Sequence, residues 1–130
     1  MKKVLITGGT GTVGSAFIKK YYNDYQFYSI SRGEEKIAEL NSKFPKVKTF
    51  IRNINDLDSL INTFESIKPD IVIHAAALKH VNLAELNPSK SIEINLNGSL
   101  NVVKASIRAK VPLTVGISTD KACSPENVYG

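Results

Sequence analysis

Cysteine is all but missing from this sequence. Cys123 stands alone, so no internal disulfide can form, and a reducing compartment is expected. Long apolar runs are missing as well, and nothing approaches the ~20 residues of a membrane-spanning helix. Met1-Lys2-Lys3-Val4-Leu5-Ile6 resembles the start of a secretory leader, but Thr7-Gly8-Gly9 cuts the apolar region short. The expectation is a cytoplasmic protein with no membrane partner.

Concentrated charge is a third absence. The formal net charge is +5, spread over Lys2, Lys3, Lys19, Lys20, Lys43, Lys46, Lys48, Lys104, Arg108 and Lys110. A nucleic-acid binder gathers such charge on one face with interleaved aromatics. The scatter fits solvated helix faces and an attraction for a phosphate-rich ligand, so no nucleic-acid partner is expected. There is no linker, low-complexity tract or solenoid repeat, and no metal site is expected. What remains is 130 residues, 42% hydrophobic and 22% charged. That is one soluble domain able to bury a core unaided.

Short apolar runs alternate with helical patterns, which signals βαβ units and a parallel sheet. Val4-Leu5-Ile6 is the first strand, and Val13, Ala16, Phe17 and Tyr21 recur at helical spacing after it. Phe27 to Ile30 is the second strand, followed by a helix through Ile37 and Leu40 that Pro45 closes. Val47 to Ile51 is the third. Leu57, Leu60, Ile61, Phe64 and Ile67 form a helix stripe with Asp56 as N-cap. Ile71-Val72-Ile73 is a wholly apolar fourth strand, as expected when helices cover both faces. Asn87-Pro88 reads as the start of a long helix through Ile92, Leu96, Leu100, Val103 and Ile107. Pro112 follows it, and Leu113 to Ile117 is the fifth strand. The expected fold is an α/β, Rossmann-like, doubly wound parallel sheet in the order 3-2-1-4-5. The fifth strand would be an exposed edge, which suggests a fragment.

Thr7-Gly8-Gly9-Thr10-Gly11-Thr12-Val13-Gly14 lies between a strand and a helix, the context in which a glycine motif carries weight. Gly8 would allow the tight turn, Gly11 the approach of a pyrophosphate, and Gly14 close packing of the helix on the sheet. A turn without a ligand is the alternative. NAD enzymes place an acid after the second strand, to meet the ribose hydroxyls. Here Ser31-Arg32 stands there, with Lys36 four residues on from Arg32. An arginine there can be plain surface charge. It can also pair with a 2′-phosphate, and the position favours NADP over NAD.

Ser118-Thr119-Asp120-Lys121 follows the fifth strand at the end where such sheets bind ligands. An adjacent acid and base suits an elimination, although a solvated turn would look the same. His74-Ala75-Ala76-Ala77 ends the fourth strand with small residues and leaves room for a nicotinamide riboside. His74 itself reads as a packed core histidine, and His80 as a loop residue able to face a substrate.

These segments become familiar in combination. His74-Ala75-Ala76-Ala77-Leu78-Lys79-His80-Val81, Asn87-Pro88, Asn95-Leu96-Asn97-Gly98 and Ser118-Thr119-Asp120-Lys121-Ala122 resemble the polysaccharide-biosynthesis branch of the extended short-chain dehydrogenases/reductases. Within it they are most similar to the inverting UDP-N-acetylglucosamine 4,6-dehydratases, from Lys3 to Gly130. The resemblance implies an NADP-dependent lyase that oxidises carbon 4 of the sugar, eliminates the 6-hydroxyl and returns the hydride. It implies Tyr129 as base at the 4-hydroxyl, Lys121 as base at carbon 5, Asp120 as acid to the leaving hydroxyl, and Thr119 as a hydrogen-bonding partner. The expected cofactor-binding set is Gly8, Thr10, Gly11, Thr12, Val13, Gly14, Ser31, Arg32, Lys36, Asn53, Ile54, Ala75, Ala76, Ala77 and Asn95. Lys79 and His80 would meet the substrate, a UDP-sugar.

Membrane-anchored retaining dehydratases carry methionine where Tyr129 stands, so the tyrosine favours the inverting class. Arg52-Asn53-Ile54-Asn55-Asp56 departs from the family's Gly-Asp-Val-Arg-Asp, and Asn53 is expected to take over the bond to adenine. The resemblance also implies a lysine four residues after the tyrosine and a sugar-nucleotide domain, both of which would lie beyond Gly130. The chain is thus expected to be the cofactor-binding portion of a homo-oligomeric enzyme and inactive alone. A nucleotide-sugar epimerase or reductase, or a binding module without catalysis, are the other readings.

Overall fold

The computed structural model describes residues 1–75 and 97–117. Five strands, β1 (Lys3–Thr7), β2 (Gln26–Ser31), β3 (Lys48–Ile51), β4 (Ile71–His74) and β5 (Leu113–Gly116), form one sheet in the order β3-β2-β1-β4-β5. Every pairing is parallel, with Val4 opposite Phe27 on one side and Ile71 on the other. Among the described residues the helices are α1 (Thr12–Tyr21), α2 (Glu34–Lys43), α3 (Leu57–Ile67) and α4 (Gly98–Arg108). This is the expected sheet.

The two-residue period of a strand explains the layers. Val4, Ile6, Phe27 and Ile73 turn to one face and pack with Ile18 of α1 and Leu40 of α2. Leu5, Tyr28, Ile30 and Val72 turn to the other and pack with Leu60 and Phe64 of α3 and Val102 and Ala105 of α4. Both faces of the central strands are therefore buried, which is why they read as continuous apolar runs. Asp56 caps α3 as expected, its Oδ1 accepting the Ser59 N–H at 3.1 Å.

Two helices are turned differently from the expected stripes. In α1 Phe17 and Tyr21 pack against the core as expected, but the fully buried residues are Gly14 and Ile18, and Val13 and Ala16 are exposed. The cause is Gly14, which fits so closely against the preceding turn that Ile18, four residues on, points into the core. In α4 the buried residues are Gly98, Val102, Ala105 and Ser106. Small side chains let this face approach α3 and β4. The expected stripe of Leu100, Val103 and Ile107 is 49%, 48% and 70% exposed. Val103 and Ile107 instead line an open apolar trough of about 620 Å³ with Val111, Thr114 and Ile117. β5 is the sheet's edge among the described residues, and all four of its residues are exposed. No helix among the described residues is long and apolar enough to cross a membrane.

Candidate functional site

Strand order reverses between β1 and β4, where the chain leaves first toward β3 and later toward β5. Crevices of this kind, at the carboxyl ends of the strands, are where open α/β sheets take ligands. The glycine turn opens directly into it. Gly8 has φ of 82°, a left-handed conformation that glycine adopts without steric cost. Its N–H donates to Ile30 O at 2.8 Å, which anchors the turn to β2, and Gly11 N–H closes the turn onto Gly8 O at 3.0 Å.

Two close approaches keep the turn free of side chains. A Cβ on Gly14 would lie 2.5 Å from Gly8 O and 2.8 Å from the Gly9 Cα, both backbone atoms that cannot step aside. Gly14 thus packs on the turn itself, more than on the sheet. A Cβ on Gly9 would lie 2.2 Å from Ser29 Oγ. The sequence reading missed Gly9, because only the neighbouring strand explains it. Gly11 sits at the N-cap of α1 with extended backbone, and no side chain caps the helix. The first-turn N–H groups at Thr12, Val13 and Gly14 are the donors a bound anion would meet. Thr12 and Val13 are exposed, and Thr10 is half-buried.

After β2, Arg32 and Lys36 are both exposed, Lys36 on the first turn of α2. Ser31 is buried, its Oγ 3.5 Å from Ser29 Oγ. After β3, Asn53 is exposed and its Oδ1 accepts the Asn55 N–H at 3.0 Å, forming a local turn. Ile54 is buried in the core, and its carbonyl accepts from Asn101 Nδ2 at 2.9 Å. Any contact of Ile54 with a cofactor would have to run through its backbone.

His74 closes the crevice from the β4 side. Its Nδ1 lies 2.6 Å from the Thr7 hydroxyl and its Nε2 lies 3.0 Å from Ser99 Oγ in α4. Burial pushes the imidazole pKa below its usual 6.5. The ring is a packed histidine, as the sequence suggested, but a fully bonded one. The Ala75 N–H donates to Thr7 O at 2.9 Å and approaches Thr7 Oγ1 at 3.2 Å, so Ala75 is held against the last residue of β1. Ala76, Ala77, Lys79, His80, Asn95, Thr119, Asp120, Lys121 and Tyr129 lie outside the described residues, as do Asn87 and Pro88. Among the described residues no group of three or more His, Cys, Asp or Glu gathers as metal ligands would.

Comparison with known proteins places this geometry. The chain is 41% identical to an inverting UDP-N-acetylglucosamine 4,6-dehydratase of Campylobacter jejuni, over 99% of this chain and 40% of that protein. It is 37% identical to a UDP-glucose 4-epimerase of Rickettsia canadensis over the same shares. The chain thus spans about 40% of the length of these curated relatives. Among solved structures, Pen from Bacillus thuringiensis superposes with a TM-score of 0.92 at 36% identity, over 99% of this chain and 41% of that one. The Bordetella bronchiseptica enzyme WbmG, solved with NAD and UDP, superposes at 0.79 with 26% identity, over 90% and 37%. The profile described as polysaccharide biosynthesis protein matches residues 4–130, and the chain belongs to that family.

Proposed function

We propose that the chain is the NADP(H)-binding portion of an inverting nucleotide-sugar 4,6-dehydratase that acts on UDP-N-acetylglucosamine in cell-surface glycan synthesis. The observation that carries the reading is the turn at the switch point. Gly8, Gly9 and Gly14 keep its backbone free of side chains, above a helix N-terminus that no side chain caps. Such a cradle fits a pyrophosphate, whose charge meets the helix N–H groups. The identity to the Campylobacter dehydratase supports the reaction class. The Bordetella complex with NAD and UDP supports a dinucleotide beside a nucleotide sugar. Arg32 and Lys36, exposed after β2, favour NADP through the 2′-phosphate.

A bound nicotinamide supplies a hydride acceptor for carbon 4 and a hydride donor for carbon 6. The chain's own residues move the protons. Tyr129 takes the proton of the 4-hydroxyl while Thr119 hydrogen-bonds nearby. Lys121 takes the carbon 5 proton made acidic by the neighbouring ketone, and Asp120 protonates the 6-hydroxyl so that it leaves as water. Carbon 5 then regains a proton on its opposite face, which inverts that centre. Cofactor binding is assigned to Asn53, the small residues Ala75, Ala76 and Ala77, and Asn95. Contact with the sugar nucleotide is assigned to Lys79 and His80. We place the enzyme in the cytoplasm as a homo-oligomer.

The test is to run the intact protein on UDP-N-acetylglucosamine in deuterated water. A dehydratase loses water from the substrate and places deuterium at carbon 5, and Lys121→Ala loses both. General acid–base steps of this kind are worth roughly 10²–10⁴ in rate. The Rickettsia relative favours a second reading, a 4-epimerase. That enzyme would invert carbon 4, release no water and leave carbon 5 unlabelled. Unimpaired dehydration by Lys121→Ala would overturn the assigned base.

A further inference from the structure

His74 joins its own strand β4 to two other elements that border the crevice, β1 and α4, and this combination carries an inference that rests on the dinucleotide reading. It is the last residue of β4 and is paired in register with Thr7, the last residue of β1. Its Nδ1 meets the hydroxyl of Thr7 at 2.6 Å, directly before the Gly8 turn. Its Nε2 meets Ser99 Oγ at 3.0 Å, in the first turn of α4. The Ala75 N–H also approaches Thr7 Oγ1. We propose that His74 is a positioning residue that sets the width of the cofactor crevice by tying the glycine turn and α4 to the end of β4.

A Val or Leu would fill the same volume, but it would bond neither neighbour. The β1–β4 ladder ends at this pair, so just past it the His74 side chain and the Ala75 N–H help hold the turn against the end of β4. The imidazole suits the task because its two nitrogens reach two neighbours at once, Thr7 in β1 through Nδ1 and Ser99 in α4 through Nε2. A bonded pair of nitrogens also fixes the ring's rotation. The consequence for the cofactor is preorganisation: a turn already held at its bound width costs less ordering when the pyrophosphate arrives.

Three variants separate the two bonds. His74→Leu removes both. His74→Asn keeps an amide atom near the Nδ1 position and can still reach Thr7, and His74→Gln keeps one near Nε2 and can still reach Ser99. Affinity for NADPH is read from the nicotinamide fluorescence of the full chain, which has no tryptophan to interfere, and thermal midpoints are measured alongside. Each lost hydrogen bond is worth a few-fold, so His74→Leu should weaken NADPH about tenfold. His74→Asn should recover most of that loss and His74→Gln less, since Thr7 borders the turn directly. Ser99→Ala, a smaller change remote from the turn, should weaken NADPH about threefold. A purely structural histidine would lower the thermal midpoint and leave the NADPH affinity of the folded protein equal in all variants, and that result overturns the proposal. If His74→Leu does not fold, unchanged affinity in both His74→Gln and Ser99→Ala overturns it equally. Failure of the wild-type chain to bind either dinucleotide would overturn the functional reading itself, and this inference with it.

Discussion

Gly9 and Ser29 occupy the same space: the Cβ that Gly9 lacks would fall 2.2 Å from the Ser29 hydroxyl and 2.9 Å from the Ser29 Cβ. The turn and the second strand are therefore matched to each other, atom against atom. Ser29 is fully buried, so it has nowhere to retreat. Gly9→Ala should destabilise the chain by about 1–3 kcal/mol, the usual cost of overpacking. Ser29→Ala should return part of this by removing the hydroxyl while leaving the tight Cβ contact. Urea unfolding of the two single variants and the double variant measures the coupling. Strict additivity would mean that the turn shifts freely.

Gly14 meets a harder obstacle, because the atoms facing it are backbone. Gly14→Ala should displace the first turn of α1 from Gly8 and Gly9. Dinucleotide affinity should drop more steeply than in Gly9→Ala, even where the fold survives. Fluorescence titration of NADPH against both variants decides the order.

The ends of α3 offer changes of opposite sign. Asp56→Ala removes the acceptor for the Ser59 N–H and should cost about 1 kcal/mol. Lys68 closes the same helix in the left-handed region, with φ of 54°. Lys68→Gly should add up to about 1 kcal/mol by relieving its Cβ. Thermal midpoints moving in opposite directions would bear out both.

Acid should weaken the fold through His74. Above pH 6.5 the imidazole is neutral whether the chain is folded or not. Below it, the unfolded chain takes up a proton that the buried ring resists. Stability then falls as pH drops, by at most about 1.4 kcal/mol per pH unit for one proton. The decline ends once the folded ring also protonates. His74→Gln should flatten the profile between pH 6.5 and 5, measured as the urea midpoint against pH.

Much of the fold is legible in the chain itself because its determinants are local. Strand identity follows from Val4-Leu5-Ile6 and Ile71-Val72-Ile73, the α3 boundary from Asp56, and the turn from Gly8. The rotation of a helix about its axis is another matter. Periodicity groups Leu100, Val103 and Ile107 on one face, but it cannot say that α3 wants the small side chains of Gly98, Ala105 and Ser106 instead. Likewise the need for Gly9 is written in Ser29, twenty residues away in another strand. Ser31 looks like a surface donor in the sequence and is a buried neighbour of Ser29 in the fold. His74 reads as core from its setting, and only the positions of Thr7 and Ser99 reveal what its nitrogens do.

The placement of β1 at the centre of the sheet has a consequence for how the chain is made. Its first neighbour, β2, leaves the ribosome soon after it, but the β4 residue that pairs with Thr7 comes 67 residues later. At synthesis rates of about 5–20 residues per second, that leaves one side of β1 without its partner for about 3–13 s. During that interval Val4, Leu5 and Ile6 present an apolar strand with a free hydrogen-bonding edge. Val4, Leu5 and Ile6 thus keep one edge unpaired until β4 has been made, and a nascent chain stalled before Ile71 holds that edge open.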